Sequence, residues 1–339
     1  MLDLLRAYLA ARRLRTLRVP PAPPLAITDA QARAFAEQEL ATGVSPLPPY
    51  SFGLSSGTTG APGVFITTPA ERARWAGNIL GKYIPPHRLL GLRVALFLKH
   101  NNRLYAGVRG LRYYSLTPPY PDLLAWQPNV LVGPPSVLLK LPDGLRPHTV
   151  LAGAEPLFPA DRQTLTQKFN VAPRGLYQAR EGFLAYGCPQ GRYHLNEDLL
   201  TFQFRPFQHD PRRVLPIVTD LVRQTQPQSS QRVNDVLILA PRCPCRSPFT
   251  AVETIEGRLQ DLMIFKDRPP KFPLELDPLL PPGAALLQND YDDFTVQFDY
   301  APPPGQKHRR FQRLFDPQNT LIAPWLTDPP SAPPAVVLR

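Results

Sequence analysis

Ser55-Ser56-Gly57-Thr58-Thr59-Gly60 packs hydroxyls and glycines together with no bulky side chain, directly after the apolar Phe52 and Leu54. Glycine admits the dihedrals that turn successive backbone N–H groups inward, and Ser and Thr hydroxyls add donors to phosphate oxygens or a ligand to magnesium. The loop is therefore a candidate anion cradle. It is not a Walker loop, because the G-x-x-x-x-G-K-[ST] spacing and its lysine are missing. Taken alone, such a hexapeptide is more often an ordinary flexible turn. A second constellation joins all three cysteines, Cys188, Cys243 and Cys245, to His194. Thiolate and imidazole ligands in fours make a closed tetrahedral zinc site. Cys243-Pro244-Cys245 is a tight ligand pair, and Cys188 and His194 share a Gly-rich bend. A structural Zn2+ is the expectation, and three simply buried thiols are the alternative.

Four further motifs follow the loop in a familiar order. Leu54 to Pro62 resembles the phosphate loop of the adenylate-forming superfamily, which includes acyl-CoA synthetases, luciferases and nonribosomal adenylation domains. Ala152-Gly153-Ala154-Glu155-Pro156-Leu157 is similar to the adenine-pocket segment of its phenylacetate-CoA ligase branch. Tyr177-Gln178-Ala179-Arg180-Glu181-Gly182 resembles that branch's aromatic-to-glutamate motif. Gln231-Arg232-Val233-Asn234-Asp235 resembles the ribose-binding aspartate motif, and Glu256-Gly257-Arg258-Leu259-Gln260-Asp261 the hinge motif. The text between them, including Trp75-Ala76-Gly77 and Thr219 through Pro227, looks most like a bacterial group related to deazaflavin-coenzyme adenylyl synthetases. The resemblance covers roughly Ala26 to Met263.

The resemblance implies ATP-dependent transfer of AMP to a small carboxylic or acidic hydroxyl acceptor, with pyrophosphate leaving and coenzyme A a candidate thiol for a second step. Ser55, Ser56, Gly57, Thr58, Thr59 and Gly60 would hold the β- and γ-phosphates, and Glu181 would supply a carboxylate to Mg2+. Tyr177 would offer its ring to adenine, with Gly153, Ala154 and Glu155 in the base pocket. Asp235 would accept from the ribose hydroxyls, and Arg258 would lie near the ribose or phosphates. The plainer alternatives are Tyr177 as core, Asp235 as a turn residue, and Arg180 with Glu181 as a surface pair. Asp220 either contacts ribose or caps a turn. Three departures stand out: Gly63 where many relatives carry lysine, Gln260 where the hinge aspartate is usual, and a lysine-poor C-terminal part in which Lys307 is the candidate catalytic lysine. Those departures keep open a second reading, a nucleotide-binding or scaffold protein without transfer activity.

The elements that must position these groups follow from composition and pattern. With 43% hydrophobic and 19% charged residues over 339 positions, the chain can bury a sizeable core. Short apolar stretches at Arg93 to Leu98, Val130 to Val132 and Val150 to Ala152 alternate with helical ones, which predicts α/β layering. The expected architecture is a helical segment with a Pro-rich connector over 1–49, a large layered α/β core over 50–261, and a small α+β C-terminal domain over 262–339. Met1 to Arg18 reads as an amphipathic basic helix, and about Thr28 to Thr42 as a second helix. The acceptor pocket is expected among Arg93 to Tyr105 and Val130 to Val137, with His100, Asn101 and Asn102 closing a turn. The formal charge of +11 suits phosphate ligands, but the basic residues are scattered without a recognition motif, so no nucleic-acid partner is expected. No signal peptide or membrane-spanning run is evident, and the cysteine count argues against disulfides; a cytoplasmic protein acting on a small-molecule acid is the expectation.

Overall fold

The computed structural model describes residues 2–13, 15, 25–55, 63–101, 103–105, 108–207, 210–281, 284–298, 300 and 309–315. The helices are α1 (Leu2–Arg12), α2 (Asp29–Thr42), α3 (Pro69–Tyr83), α4 (Leu123–Trp126), α5 (Pro135–Leu139), α6 (Pro159–Phe169) and α7 (Pro273–Leu276). The strands run β1 (Ser51–Leu54), β2 (Val64–Thr67), β3 (Val94–Phe97), β4 (Leu111–Tyr114), β5 (Val130–Gly133), β6 (Thr149–Gly153), β7 (Arg174–Ala179), β8 (Gly182–Gly187) and β9 (Tyr193–Leu195). They continue as β10 (Leu200–Phe207), β11 (Asp210–Asp220), β12 (Gln231–Arg232), β13 (Asp235–Leu239), β14 (Ala251–Arg258), β15 (Ala285–Asp290), β16 (Asp293–Gln297) and β17 (Phe311–Arg313).

A 12-stranded sheet organises the chain in the order β10-β11-β13-β14-β9-β8-β7-β6-β5-β3-β4, with β12 on β11. From β4 to β7 the pairing is parallel, and from β7 to β10 it is antiparallel. Parallel strands must be covered on both faces, which is why β3, β5 and β6 read as continuous apolar runs. Ile79, Leu80 and Tyr83 of α3 cover one face with Val94, Val130 and Leu151. Val137 and Leu138 of α5 and Leu165 and Phe169 of α6 cover the other, against Phe97, Leu131 and Val150. The chain leaves β3 to one side for β4 and returns on the other for β5. Ligands of open α/β sheets lie beyond the carboxyl ends of the strands at such a reversal.

The expected second helix is α2, started by a capping box in which Thr28 and Gln31 satisfy each other's backbone N–H groups, and stopped by Gly43 at φ 70. The first helix ends at Arg12 and buries a different face from the one its leucines suggest. Leu2, Leu5 and Leu9 are exposed, while Ala7, Tyr8 and Ala11 lie against α3. Glycine explains the choice: a Cβ at Gly77 would meet Ala7 Cβ at 2.5 Å, and one at Gly81 would meet Ala11 Cβ at 2.7 Å. Small residues on both helices permit this close crossing, and the Tyr8 hydroxyl seals it by donating to the Ile84 carbonyl at 2.9 Å. Further along α3, Lys82 donates to Asp198 at 2.8 Å with both side chains 1% exposed, tying the helix to the segment before β10. Such a pair destabilises strongly if one partner is removed.

Beyond Leu262 the chain forms a small sheet, β16-β15-β17, with the one-turn α7. Phe294 packs against Phe265, whereas Val296 and Phe298, further along the edge strand β16, stay exposed. The buried Gln288 amide bridges the Ile264 backbone, donating to its carbonyl and accepting from its N–H. Arg309 pairs with Asp261, and Phe311 packs with Met263 and Phe158, so the C-terminal strands are seated on the large sheet's periphery.

Replacing Gly77 with Val should destabilise the protein by about 1–3 kcal/mol through overpacking of the α1–α3 crossing. A denaturant midpoint equal to wild type would contradict that crossing.

Candidate functional site

The large sheet, the β1–β2 hairpin and α3 enclose a cavity of about 610 Å³. Its floor is formed by the carboxyl ends of β3, β5, β6 and β7, and one wall is the α3 face carrying Glu71, Arg74, Trp75, Asn78 and Ile79. Ser55, Gly63, Glu181, Asp220, Asp235 and Arg258 border its polar end.

The neck of the hydroxyl-and-glycine loop is closed by two hydrogen bonds. Ser55 N–H donates to the Gly63 carbonyl and Gly63 N–H to Ser55 Oγ, each at 2.8 Å. Ser56, Gly57, Thr58, Thr59 and Gly60 lie outside the described residues, as does Lys307. At the far end of β2 from this neck, α3 starts with a capping box of Thr68 and Glu71 and with Pro69 in its first turn. Glu71 does more than cap. Its Oε1 accepts from the backbone N–H of Gln224 at 2.7 Å and of Thr225 at 3.0 Å. Gln226 completes the seam by accepting from Ile66 N–H at 2.9 Å. A buried carboxylate thus laces β2 and α3 to the polar stretch after β11.

Asp220 ends β11 by accepting from Val222 N–H at 2.8 Å and Arg223 N–H at 2.9 Å, so it caps a turn while bordering the cavity. Arg223 folds back to donate to the Arg180 carbonyl at 3.0 Å. Burial lowers its pKa, against the opposing pull of Asp220, Glu71 and Glu181. Arg74 is the other cation on this wall. None of its three guanidinium nitrogens has a hydrogen-bond partner among the described residues, and burial lowers it to about 10 despite Asp220, Asp198 and Glu71.

Asp235 begins β13, where its carboxylate accepts from the Tyr177 hydroxyl at 2.7 Å and faces Arg258 Nε at 3.3 Å. Tyr177 is buried in the sheet and is not among the cavity-lining residues; burial, then the Asp235 anion, holds its phenol well above the ordinary range. Gly153 and Ala154 line the cavity, and the backbone gives Gly153 its own reason to lack a side chain: a Cβ would meet the Leu176 carbonyl at 2.7 Å. Ala154 adopts φ 70, a left-handed conformation that a non-glycine residue takes only under constraint. Glu155 turns away to accept from Ser136 N–H at 3.2 Å and Ser136 Oγ at 3.0 Å.

Of the residues singled out in the sequence, Ser55, Gly153, Ala154, Glu181, Asp235 and Arg258 therefore share one cavity. The stretches expected to hold the acceptor, Arg93 to Tyr105 and Val130 to Val137, also contribute lining residues, Tyr105 among them. Arg74, Arg223 and Gln178 border it too without having been singled out. Arg223 and Gln178 fall inside quoted motifs, so proximity in sequence was a usable signal; Arg74 is brought in by tertiary packing alone.

The cysteine constellation also assembles. One ligand atom each from Cys188, His194, Cys243 and Cys245 lies within 4.8 Å of the others. Cys188 Sγ and Cys243 Sγ are 3.7 Å apart, close to the ~3.8 Å edge of a tetrahedron with Zn–S bonds of about 2.3 Å. Cys245 Sγ is 3.1 Å from His194 Nε2, and His194 Nδ1 lies 3.3 Å from the Phe249 carbonyl, the second partner that fixes a ligating imidazole. Burial pushes the Cys245 thiol up to about 11; it acts on Cys243 too, but hydrogen bonds from the Cys245 backbone and side chain outweigh it and lower that thiol. The donor set and spacing fit a zinc ion, which would join the end of β8 and β9 to the β13–β14 connection.

The architecture is that of adenylate-forming ligases. Aligned structures include 2-hydroxyisobutyryl-CoA ligase in the postadenylation state with R3-HIB-AMP, at TM-score 0.58 and 16% identity, covering 87% of this chain and 73% of that one. The same ligase with 2-HIB-AMP and CoA in the thioesterification state aligns at TM-score 0.52 and 17% identity, with the same coverage. ATP-bound MatB from Rhodopseudomonas palustris aligns at TM-score 0.50 and 17% identity, over 72% of this chain and 55% of that one. No protein-family model and no curated protein matches the sequence. Among the described residues, no helix is long and apolar enough to cross a membrane.

Protein purified without added zinc should carry about one equivalent of it. Cys245→Ser should lower both the zinc content and the Tm, the latter by about 5 °C or more; metal-free protein melting at an unchanged temperature contradicts the site.

Proposed function

We propose that this protein is an adenylate-forming enzyme that transfers AMP from ATP to a small carboxylic acid. An acceptor oxygen forms a bond to the α-phosphorus, the bond from that phosphorus to the bridging oxygen of the β-phosphate breaks, and pyrophosphate leaves with the electron pair. The observation that carries the reading is the shared cavity, in which the loop neck at Ser55 and Gly63 meets Glu181, Asp235 and Arg258. Positioning and charge neutralisation dominate such transfers, and these residue types provide both.

In this reading Asp235 accepts from the ribose hydroxyls. The Tyr177 hydroxyl and Arg258 hold its carboxylate in orientation. Glu181 offers an oxygen donor of the kind Mg2+ takes together with phosphate oxygens, and the ion when bound neutralises phosphate charge. Arg258 and Arg223 are the cations closest to that chemistry by their bonding to Asp235 and Asp220. ATP-bound and AMP-ester-bound structures of the same fold support a nucleotide in this cleft. A thioester step with CoA, and kinship with the phenylacetate-CoA ligase and deazaflavin-coenzyme groups, rest on the motifs in Leu54 to Pro62 and Ala152 to Asp261.

One observation favours the second reading, nucleotide binding without transfer: among the described residues after Leu262, no lysine borders the cavity. Acceptor-dependent pyrophosphate exchange separates the two. The enzyme reading expects exchange with at least one acid, reduced about tenfold or more in Glu181→Gln with folding intact. ATP binding without exchange across a broad acid panel would leave the binding protein, and undiminished magnesium-dependent exchange in Glu181→Gln would remove that residue's role.

A further inference from the structure

The cavity changes character along its length. Past Arg74 the α3 wall continues as Trp75 and Ile79, and the opposite side is built from Leu96, Leu98, Leu104 and Val108. One polar relay crosses this apolar end. Trp75 Nε1 lies 3.4 Å from the Tyr105 hydroxyl, which lies 3.3 Å from Gln178 Oε1. Indole N–H is a donor only, so it occupies an acceptor position on the Tyr105 oxygen. The Tyr105 hydroxyl donates its single proton to Gln178 Oε1, so the amide carbonyl faces Tyr105. Burial keeps Tyr105 a neutral phenol, so its proton is retained for this bond.

The consequence falls on the other end of the amide. Gln178 Nε2 is buried and has no hydrogen-bond partner among the described residues. Gln178 lies on β7 three residues before Glu181, where the apolar end of the cavity meets the polar one. An amide donor left without a partner in such surroundings is unfavourable until an acceptor arrives. A carboxylate supplies that acceptor, and a tail continuing past it enters the space between Trp75 and the leucines.

The geometry points to Gln178 Nε2 as the group that holds the acceptor's carboxylate, and to an apolar monocarboxylic acid as the acceptor. This rests on the adenylate-forming reading of the same cavity. A second charge on the acid would enter a compartment walled by Trp75, Ile79 and leucines, where an unpaired ion is strongly disfavoured. Lys99 also borders the cavity at the end of β3, so a dicarboxylate that reaches it is the competing ligand. Gln178 contacts the acceptor directly, and Trp75 and Tyr105 are the positioning residues that orient its amide.

The test is calorimetric titration of the full chain with ATP, then with benzoate, phenylacetate, cyclohexanecarboxylate, 4-methylpentanoate, succinate and glutamate. At least one of the four apolar acids should bind, and more tightly than succinate or glutamate. Gln178→Leu should weaken that acid about tenfold or more while ATP affinity stays within about twofold. Gln178→Glu should reverse the preference, binding the primary amide of the same compound better than the acid, a switch that general loosening of the fold would not produce. Tighter binding of a dicarboxylate, no binding of any apolar acid to protein that binds ATP, or equal acid affinity in Gln178→Glu would each overturn the assignment. Loss of ATP binding in the wild-type protein would instead sink the adenylate-forming reading on which it stands.

Discussion

The Glu71 carboxylate is the constraint on which the cleft depends. It is nearly buried, yet it accepts from Thr68 on its own helix and from Gln224 and Thr225 more than 150 residues away. One such charge-assisted bond is worth about 1.5–3 kcal/mol, so the cluster offsets the desolvation of the carboxylate and fixes two distant segments against each other. Together with the bonds of Thr225 and Gln226 to Ile66, that link holds the strand after the loop neck against the segment after the turn at Asp220. With it, the backbone that leads to Asp235 begins from a fixed point beside α3.

Two further ties complete the arrangement from other directions. The Lys82–Asp198 pair fixes the far end of α3 to the sheet, and a zinc ion held by Cys188, His194, Cys243 and Cys245 would clip β8 and β9 to the connection after β13. Both lie outside the cavity lining, so they act on the cleft through strand placement. Reversal of the chain at β3 then leaves the parallel strand ends open for a ligand, and the antiparallel half of the sheet brings Asp235 and Arg258 across from them.

Much of this was legible in the residues because it is local. Parallel strands showed as apolar runs at Val94–Phe97 and Val130–Gly133, and α2 showed through Thr28, Gln31 and Gly43. The cysteines are few enough that their meeting was foreseeable. What escaped has long-range causes. The leucines of α1 suggested the wrong face because the deciding contact is between Ala7, Ala11 and two glycines some 70 residues on. Tyr177 reads as a platform in a motif, but its ring is in the sheet and its hydroxyl on Asp235, a pairing 58 residues apart. Gly153 is small for a backbone reason, the Leu176 carbonyl, as well as for any ligand. Arg74 carries no local signature, since only the folding of α3 over the strand ends turns it toward the cavity.

The central claim is that these separated segments enclose one nucleotide, and calorimetric titration of ATP into wild-type protein and Asp235→Ala tests it most directly. The account predicts a single site with about one ATP per chain, weakened about tenfold or more in the variant, which circular dichroism shows to be folded although stranding Tyr177 and Arg258 lowers its melting temperature. ATP that binds both proteins equally well, or neither, would contradict it.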